Sequence, residues 1–272
     1  MRRVDAAADG EAVGDSYGTG FASIDRWLGG GVRRGDLVIL GGEVGSGKSS
    51  LALAMALRMS QAGISTAFFT SEMSAERVME RALAIEGRVK INQMREGALD
   101  EFTRVAMGAA AVRLRDRMPT IQSLPTDGVS GLSTTLHLGE NVAVAFVDPL
   151  QGLARGSRVL DEELAATVRE LKAAAIERNV ALVVTAHLRH LSPELRTDFR
   201  PTLDDFGGLG AVKQHADVVA AIYREEMYNP GSGVEGATEL LIRKNRNGST
   251  GYVDLYFYKQ WLRFEDMLDP DR

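Results

Sequence analysis

Gly42-Glu43-Val44-Gly45-Ser46-Gly47-Lys48-Ser49 decides how the rest of the chain is read. It satisfies G-x-x-x-x-G-K-[ST] in full, and its surroundings are the ones that pattern needs. The apolar run LVIL at residues 37–40 precedes it, and SSLALAMALRM, a helical pattern, follows. Glycines let successive backbone N–H groups turn inward around a phosphate, and the helix N-terminus adds its positive dipole end. Gly42, Glu43, Val44, Gly45, Ser46, Gly47, Lys48, Ser49 and Ser50 are therefore read as the phosphate-binding segment. In this reading Lys48 reaches the β- and γ-phosphates and the Ser49 hydroxyl ligates Mg²⁺. The bland alternative is a glycine-rich strand-to-helix turn that carries a surface lysine.

Two carboxylates extend the pattern outward. The run at residues 142–147 (VAVAFV) leads straight into Asp148 and Pro149. An Asp at the end of a buried strand can hold Mg²⁺ through water, although an Asp before proline is also common turn chemistry. Glu72 follows the run TAFFT at residues 66–70. A carboxylate at a strand's C-terminal edge near a phosphate loop is placed to act as a general base. It could equally belong to a helix start, since Ser74 can cap and acidic residues favour the first turn.

Between these points strand-like and helix-like segments alternate. The strands are 37–40, 66–70, 142–147 and 181–185; the helices are 49–61, 75–86, 100–115 and 162–178. Such alternation predicts an α/β fold with a mostly parallel sheet flanked by helices. After Asp217 come the strand-like stretches 217–223, 239–243, 252–258 and 261–264, two of the joining segments being the short NRNGSTG and KQ, which predicts an antiparallel hairpin extension. Residues 1–16 and 269–272 read as tails, and 17–268 as one domain.

Composition narrows the chemistry. The 272 residues carry 32 Lys and Arg against 37 Asp and Glu, a formal net charge of −5, so any nucleic-acid contact must come from a local patch. The absence of cysteine excludes disulfides, thiolate metal sites and a cysteine nucleophile. No apolar stretch approaches the ~20 residues needed to span a bilayer, and the N-terminus lacks an apolar signal segment. The expectation is a cytoplasmic protein with no membrane partner.

Taken in order, these pieces resemble the RecA-type P-loop ATPases. One branch is singled out by Thr70-Ser71-Glu72-Met73-Ser74-Ala75-Glu76, which resembles the S-L-E-M-S-A-E signature of the DnaB family of replicative helicases. The likeness continues through Asp148-Pro149-Leu150-Gln151, Thr197-Asp198-Phe199-Arg200-Pro201 and Gln214-His215-Ala216-Asp217. It ends in Lys244-Asn245-Arg246-Asn247-Gly248-Ser249-Thr250-Gly251, close to the family's K-x-R-N-G-P-T-G. The resemblance implies ATP and Mg²⁺ as cofactors, Glu72 as catalytic base, and Lys244 and Arg246 as cations that reach the γ-phosphate of a neighbouring subunit. It further implies a homo-oligomeric ring, a hexamer in the family, with single-stranded DNA in its pore and a loader or primase as further partner.

Three departures bear on that picture. His187 stands where the family usually has a γ-phosphate-sensing Gln; a histidine can still donate a hydrogen bond to phosphate. The pore loop has lost its usual Arg and Glu and reads Phe206-Gly207-Gly208-Leu209-Gly210-Ala211-Val212-Lys213. DNA contacts are then expected from the backbone of Gly207, Gly208 and Gly210, from Lys213, and from Arg200, with Arg155, Arg158 and Arg196 as further cations. The family's N-terminal domain and linker helix are not expected in this sequence, which would weaken ring assembly. A rival reading is a RecA- or KaiC-like ATPase that binds single strands or partner proteins as a nucleotide-dependent switch without unwinding.

Overall fold

Residues 37–40 are apolar at every position because the strand they form is covered on both sides. In the computed structural model, which describes residues 16–139, 141–154, 159–189, 196–231 and 233–267, β3 (Leu37–Gly42) is buried throughout. Val38 and Leu40 join one core and Leu37 and Ile39 the other, on the opposite face. The same alternation divides Phe68 and Phe146 from Phe69 and Val147. A parallel sheet sandwiched between helices produces this continuous apolar signature.

A two-stranded antiparallel ribbon opens the described chain, β1 (Ser16–Tyr17) with β2 (Val32–Arg33), and α1 (Ala22–Trp27) lies between them. After β3 come α2 (Lys48–Gln61), β4 (Thr66–Thr70), α3 (Ala75–Gly87), α4 (Ile91–Glu96) and α5 (Glu101–Arg115). Next are β5 (Thr120–Ser123), α6 (Val129–Leu138), β6 (Val144–Asp148), α7 (Leu160–Arg178) and β7 (Ala181–His187). The chain closes with α8 (Ala211–His215), β8 (Val218–Tyr223), β9 (Ala237–Asn245), β10 (Gly251–Tyr258) and β11 (Arg263–Asp266).

The large sheet has the order β11-β10-β9-β8-β3-β7-β6-β4-β5. From β8 to β5 all neighbours are parallel, and from β8 to β11 all are antiparallel. This is the expected parallel sheet with its hairpin extension. One face is covered by α2 and α3 through Leu51, Leu53, Leu57, Val78 and Ile85; the other by α6 and α7 through Leu132, Leu136, Val168 and Leu171.

Elements not foreseen include α1, α4, α6 and β5. The edge strand β5, TIQS, is largely exposed and has too little apolar patterning to announce itself. The sequence of α6 is rich in Ser, Thr and Gly, weak helix formers, and is held through Val129, Leu132 and Leu136. The last expected strand, 261–264, shifts to β11 because residues 259–261 form a single helical turn and Leu262 adopts a left-handed φ of 53°. Within the described residues, no helix is long and apolar enough to cross a membrane. The expected tails fall almost wholly outside the described residues, as do Arg155, Arg158 and His190.

Candidate nucleotide site

In open α/β sheets ligands bind beyond the carboxyl ends of the strands, and this sheet gathers its chemistry there. β3 ends in the phosphate loop, β4 runs into Glu72, β6 ends at Asp148 and β7 at His187. The register places Gly42 opposite His187 and Thr70 opposite Asp148. Residues separated by more than a hundred positions thus meet along one edge.

The loop is shaped by its glycines. Gly45 has φ +82° and Gly47 φ +101°, conformations that side chains rarely adopt, and a Cβ at Gly47 would lie 2.9 Å from the Phe264 ring. Val44 projects at the tip, 81% exposed, while Ser46, Lys48 and Ser50 are buried. Arg224, itself buried, donates to the Gly45 carbonyl at 3.1 Å and pins the loop from β8. Burial pushes the Lys48 ammonium below its ordinary pKa, and Glu72 and Asp148 oppose that shift.

Asp148 is fully buried. Its Oδ1 accepts from Ser49 Oγ at 2.9 Å and from the Thr185 hydroxyl. Its Oδ2 is buried with no hydrogen-bond partner among the described residues, and so is Ser46 Oγ. Desolvation raises the Asp148 pKa against the hydrogen bonds from Thr185 and Ser49. A buried carboxylate oxygen without a partner is costly unless a cation or water meets it. Among the described residues no cluster of three or more His, Asp or Glu could enclose a metal alone. Magnesium commonly takes one or two protein oxygens and completes its shell with water and phosphate. Ser49 and Asp148 fit that demand.

Glu72 is not spent on the helix start. Ser74 caps α3 by accepting from the Arg77 N–H, and Glu76 occupies the first turn. The Glu72 N–H donates to Thr70 Oγ1 at 3.2 Å, and its carboxylate Oε1 lies 3.0 Å from His187 Nε2. Beside His187 a cleft of about 400 Å³ runs to Phe206 and Gly207.

Arg81 went unnoticed in the sequence. It lies on α3, one of two arginines there, and only the fold reveals its setting. Desolvation lowers its pKa, while the fields of Asp148 and Glu72 act to raise it. A partly buried cation thus faces the carboxylates of the site.

Lys244 and Arg246 lie elsewhere. β9 is antiparallel to β8, so its end pairs with Val218 and Val219 at the start of β8. That is the opposite edge of the sheet from the phosphate loop, a β3 length or roughly 16 Å away. There Lys244 Nζ donates to the carbonyls of Lys213 (2.7 Å) and Gln214 (3.3 Å). Arg246 donates to the Gln214 carbonyl and pairs with Asp217 Oδ1, both at 2.9 Å.

The expected DNA-binding residues divide. Gly207, Gly208, Leu209 and Gly210 all have positive φ, and Leu209 is 68% exposed. Gly208 is buried and its N–H already donates to Asp161 Oδ1 at 3.0 Å; the Gly210 N–H points to the Gly207 carbonyl. Arg200 is held by both Glu239 oxygens, at 2.6 and 2.7 Å, and lies over the Tyr223 ring. Arg196 is committed in the same way to Asp205. In the free chain the Gly208 and Gly210 N–H groups and the Arg200 guanidinium thus already have internal partners. Lys213 stays exposed, 3.8 Å from Asp204.

A glycine-rich strand-to-helix loop beside a buried carboxylate bonded to Ser49, on a parallel sheet of this order, defines a P-loop protein of RecA-like fold. One solved ATPase domain superposes with a TM-score of 0.87 at 22% identity over 98% of both chains. A DnaB-like replicative helicase, solved in a study of its interactions with primase, superposes at 0.89 and 21% identity, over 98% of this chain and 65% of that one. Residues 17–266 match the family model of the DnaB-like helicase C-terminal domain, and the chain belongs to that family. It is 30% identical to the replicative DNA helicase DnaB of Geobacillus stearothermophilus, over 95% of this chain and 58% of that protein. It is equally similar to the replicative DNA helicase DnaC of Bacillus subtilis, over 92% and 56%. The chain therefore spans a little over half the length of these curated relatives.

Proposed function

We propose that this chain is the motor module of a ring-forming DNA helicase that hydrolyses ATP with Mg²⁺ and moves along single-stranded DNA. The observation that carries the reading is the separation of the two catalytic halves. Lys48, Ser49, Glu72 and Asp148 share one sheet edge, and Lys244 and Arg246 occupy the other. Cations so placed cannot serve their own phosphate loop, but they suit a site completed by the next subunit.

In this reading the loop N–H groups and Lys48 hold the β- and γ-phosphates, and Ser49 and Asp148 hold the metal. Bound Mg²⁺ would neutralise charge on the phosphate oxygens. Glu72 orients and deprotonates the attacking water. The neighbour's Arg246 and Lys244 stabilise charge that develops in the transition state, an effect worth ~10³ or more in rate. A cleft of about 580 Å³ is lined by Tyr256, Phe257 and Tyr258, and the Phe257 ring also approaches Gly47 of the phosphate loop; its aromatic lining is suited to a nucleobase. The exposed Leu209 and Lys213 are the parts of the glycine loop left to meet DNA.

Strand displacement on forked DNA, with ATP and Mg²⁺, tests this directly. Wild-type protein is expected to unwind and Lys48→Ala protein to be inert. Equal unwinding by both overturns the reading. ATP turnover that single strands stimulate without any displacement identifies a nucleotide-switched binder instead.

A further inference from the structure

His187 leaves β7 from a clamped backbone. Gln151 Nε2 donates to the His187 carbonyl and the His187 N–H donates to Gln151 Oε1, both at 3.1 Å. From that fixed point the ring sets Nε2 3.0 Å from Glu72 Oε1. Its other nitrogen, Nδ1, is buried and has no hydrogen-bond partner among the described residues. A neutral imidazole owns one N–H and one lone pair. With the proton on Nδ1, a donor would be buried without an acceptor, and the Nε2 lone pair would face a carboxylate oxygen. Both arrangements are costly. With the proton on Nε2, the donor meets Glu72 and the bare lone pair is the atom left unpaired. The geometry therefore selects the Nε2–H tautomer, with Glu72 accepting.

That single hydrogen has two claimants. Glu72 stands in the same electrostatic cluster as Lys48, Arg81 and Asp148, where a γ-phosphate held by Lys48 would present its own oxygens. His187 is only 30% exposed at its side chain, and Glu72 39%, so both have a little room to turn. We infer that His187 is a positioning residue that switches Glu72 through one shared donor. Without a γ-phosphate, its Nε2–H occupies the carboxylate oxygen that would otherwise accept from water. With a γ-phosphate in place, the hydrogen turns to phosphate and Glu72 is released. A glutamine amide carries two N–H donors and can serve both acceptors at once; the imidazole makes the two contacts mutually exclusive. This device rests on reading the site as a triphosphate site.

Two measurements decide it. The chain has four histidines, so long-range ¹H–¹⁵N spectra of histidine-labelled, nucleotide-free protein can report which ring nitrogen of His187 is protonated. The expected result is the Nε2–H form, with that preference lost in Glu72→Ala. A predominant Nδ1–H form, or a preference that ignores Glu72→Ala, overturns the switch. The second measurement is the affinity for Mg²⁺ with a non-hydrolysable ATP analogue and, separately, with ADP. Glu72→Ala should tighten the analogue by about fivefold, the lower end of usual coupling between sites, and leave ADP unchanged. In a His187→Phe background the same substitution should bring no gain in analogue affinity. An equal gain in both backgrounds means simple charge repulsion and overturns the switch. If the analogue binds none of these proteins, the triphosphate reading itself falls, and the tautomer still decides the contact between His187 and Glu72.

Discussion

At the scale of single residues, burial and field decide what each charge does. Arg81 contributes a partly buried cation to a site whose carboxylates raise its pKa while desolvation lowers it. Truncating such a group removes charge stabilisation where water cannot replace it. Arg81→Ala is expected to lower kcat by about 10²-fold with KM changed far less, the pattern of an interaction made chiefly in the transition state. Steady-state ATPase measurements distinguish this from a loss confined to KM. Asp36 poses the opposite problem. Desolvation, with Asp217 nearby, holds its carboxyl above the usual range even though Asn247 donates to it at 2.7 Å. A carboxyl whose folded pKa is raised binds its proton more tightly in the folded state, so ionisation above that pKa costs stability. Asp36→Asn should therefore melt higher than wild type at pH 7, and the advantage should shrink as pH falls toward 4. Thermal melts at the two pH values check the sign.

At the scale of elements, one arginine ties the phosphate-binding helix to both ends of the chain. Arg58, on α2, donates to the Gly20 carbonyl (2.7 Å), the Phe264 carbonyl (3.0 Å) and Glu265 Oε2 (2.7 Å), and stacks on Phe21. Glu265 lies on β11, so the helix, the entry segment and the edge strand share one guanidinium. Arg58→Ala should cost about 3 kcal/mol in denaturant unfolding, the scale of losing charge-assisted bonds around a mostly buried group. The hairpin carrying Arg246 is anchored comparably. Asp217, only 4% exposed, accepts from the Leu37 N–H, from Lys172 Nζ and from Arg246, and so links β3, α7 and the hairpin. α8 follows the glycine loop directly, and its last carbonyls hold both Lys244 and Arg246. The glycine loop and the hairpin cations are thus joined through hydrogen bonds from the Lys244 and Arg246 side chains to α8 carbonyls.

At the scale of the whole molecule, the phosphate loop and the cationic hairpin lie at opposite sheet edges, and in the proposed ring they meet only across subunits. Lys48→Ala lacks a working loop and Arg246→Ala a working cation, so each alone should lose ATPase activity by ~10³ or more. Mixed in equal amounts, about a quarter of the interfaces in a randomly assembled ring join an intact loop to an intact cation. Activity should return in the mixture, and a mixture as inactive as its components would show that the hairpin does not act across subunits. The pattern Gly42–Ser49 and the strand-end positions of Asp148 and Glu72 were legible beforehand because each is written in local spacing, while the role expected of Glu72 came from the family resemblance. The parallel sheet was legible for the same reason, as fully apolar runs alternating with helical ones. What the order of residues could not state was partnership. Glu72 and His187 meet across 115 positions, Gln151 clamps His187 across 36, and Arg200 and Gly208 prove to be held by Glu239 and Asp161. Side chains that meet only when separate strands and helices pack leave no periodic trace along the chain, so only the folded arrangement decides which charges are free and which are taken.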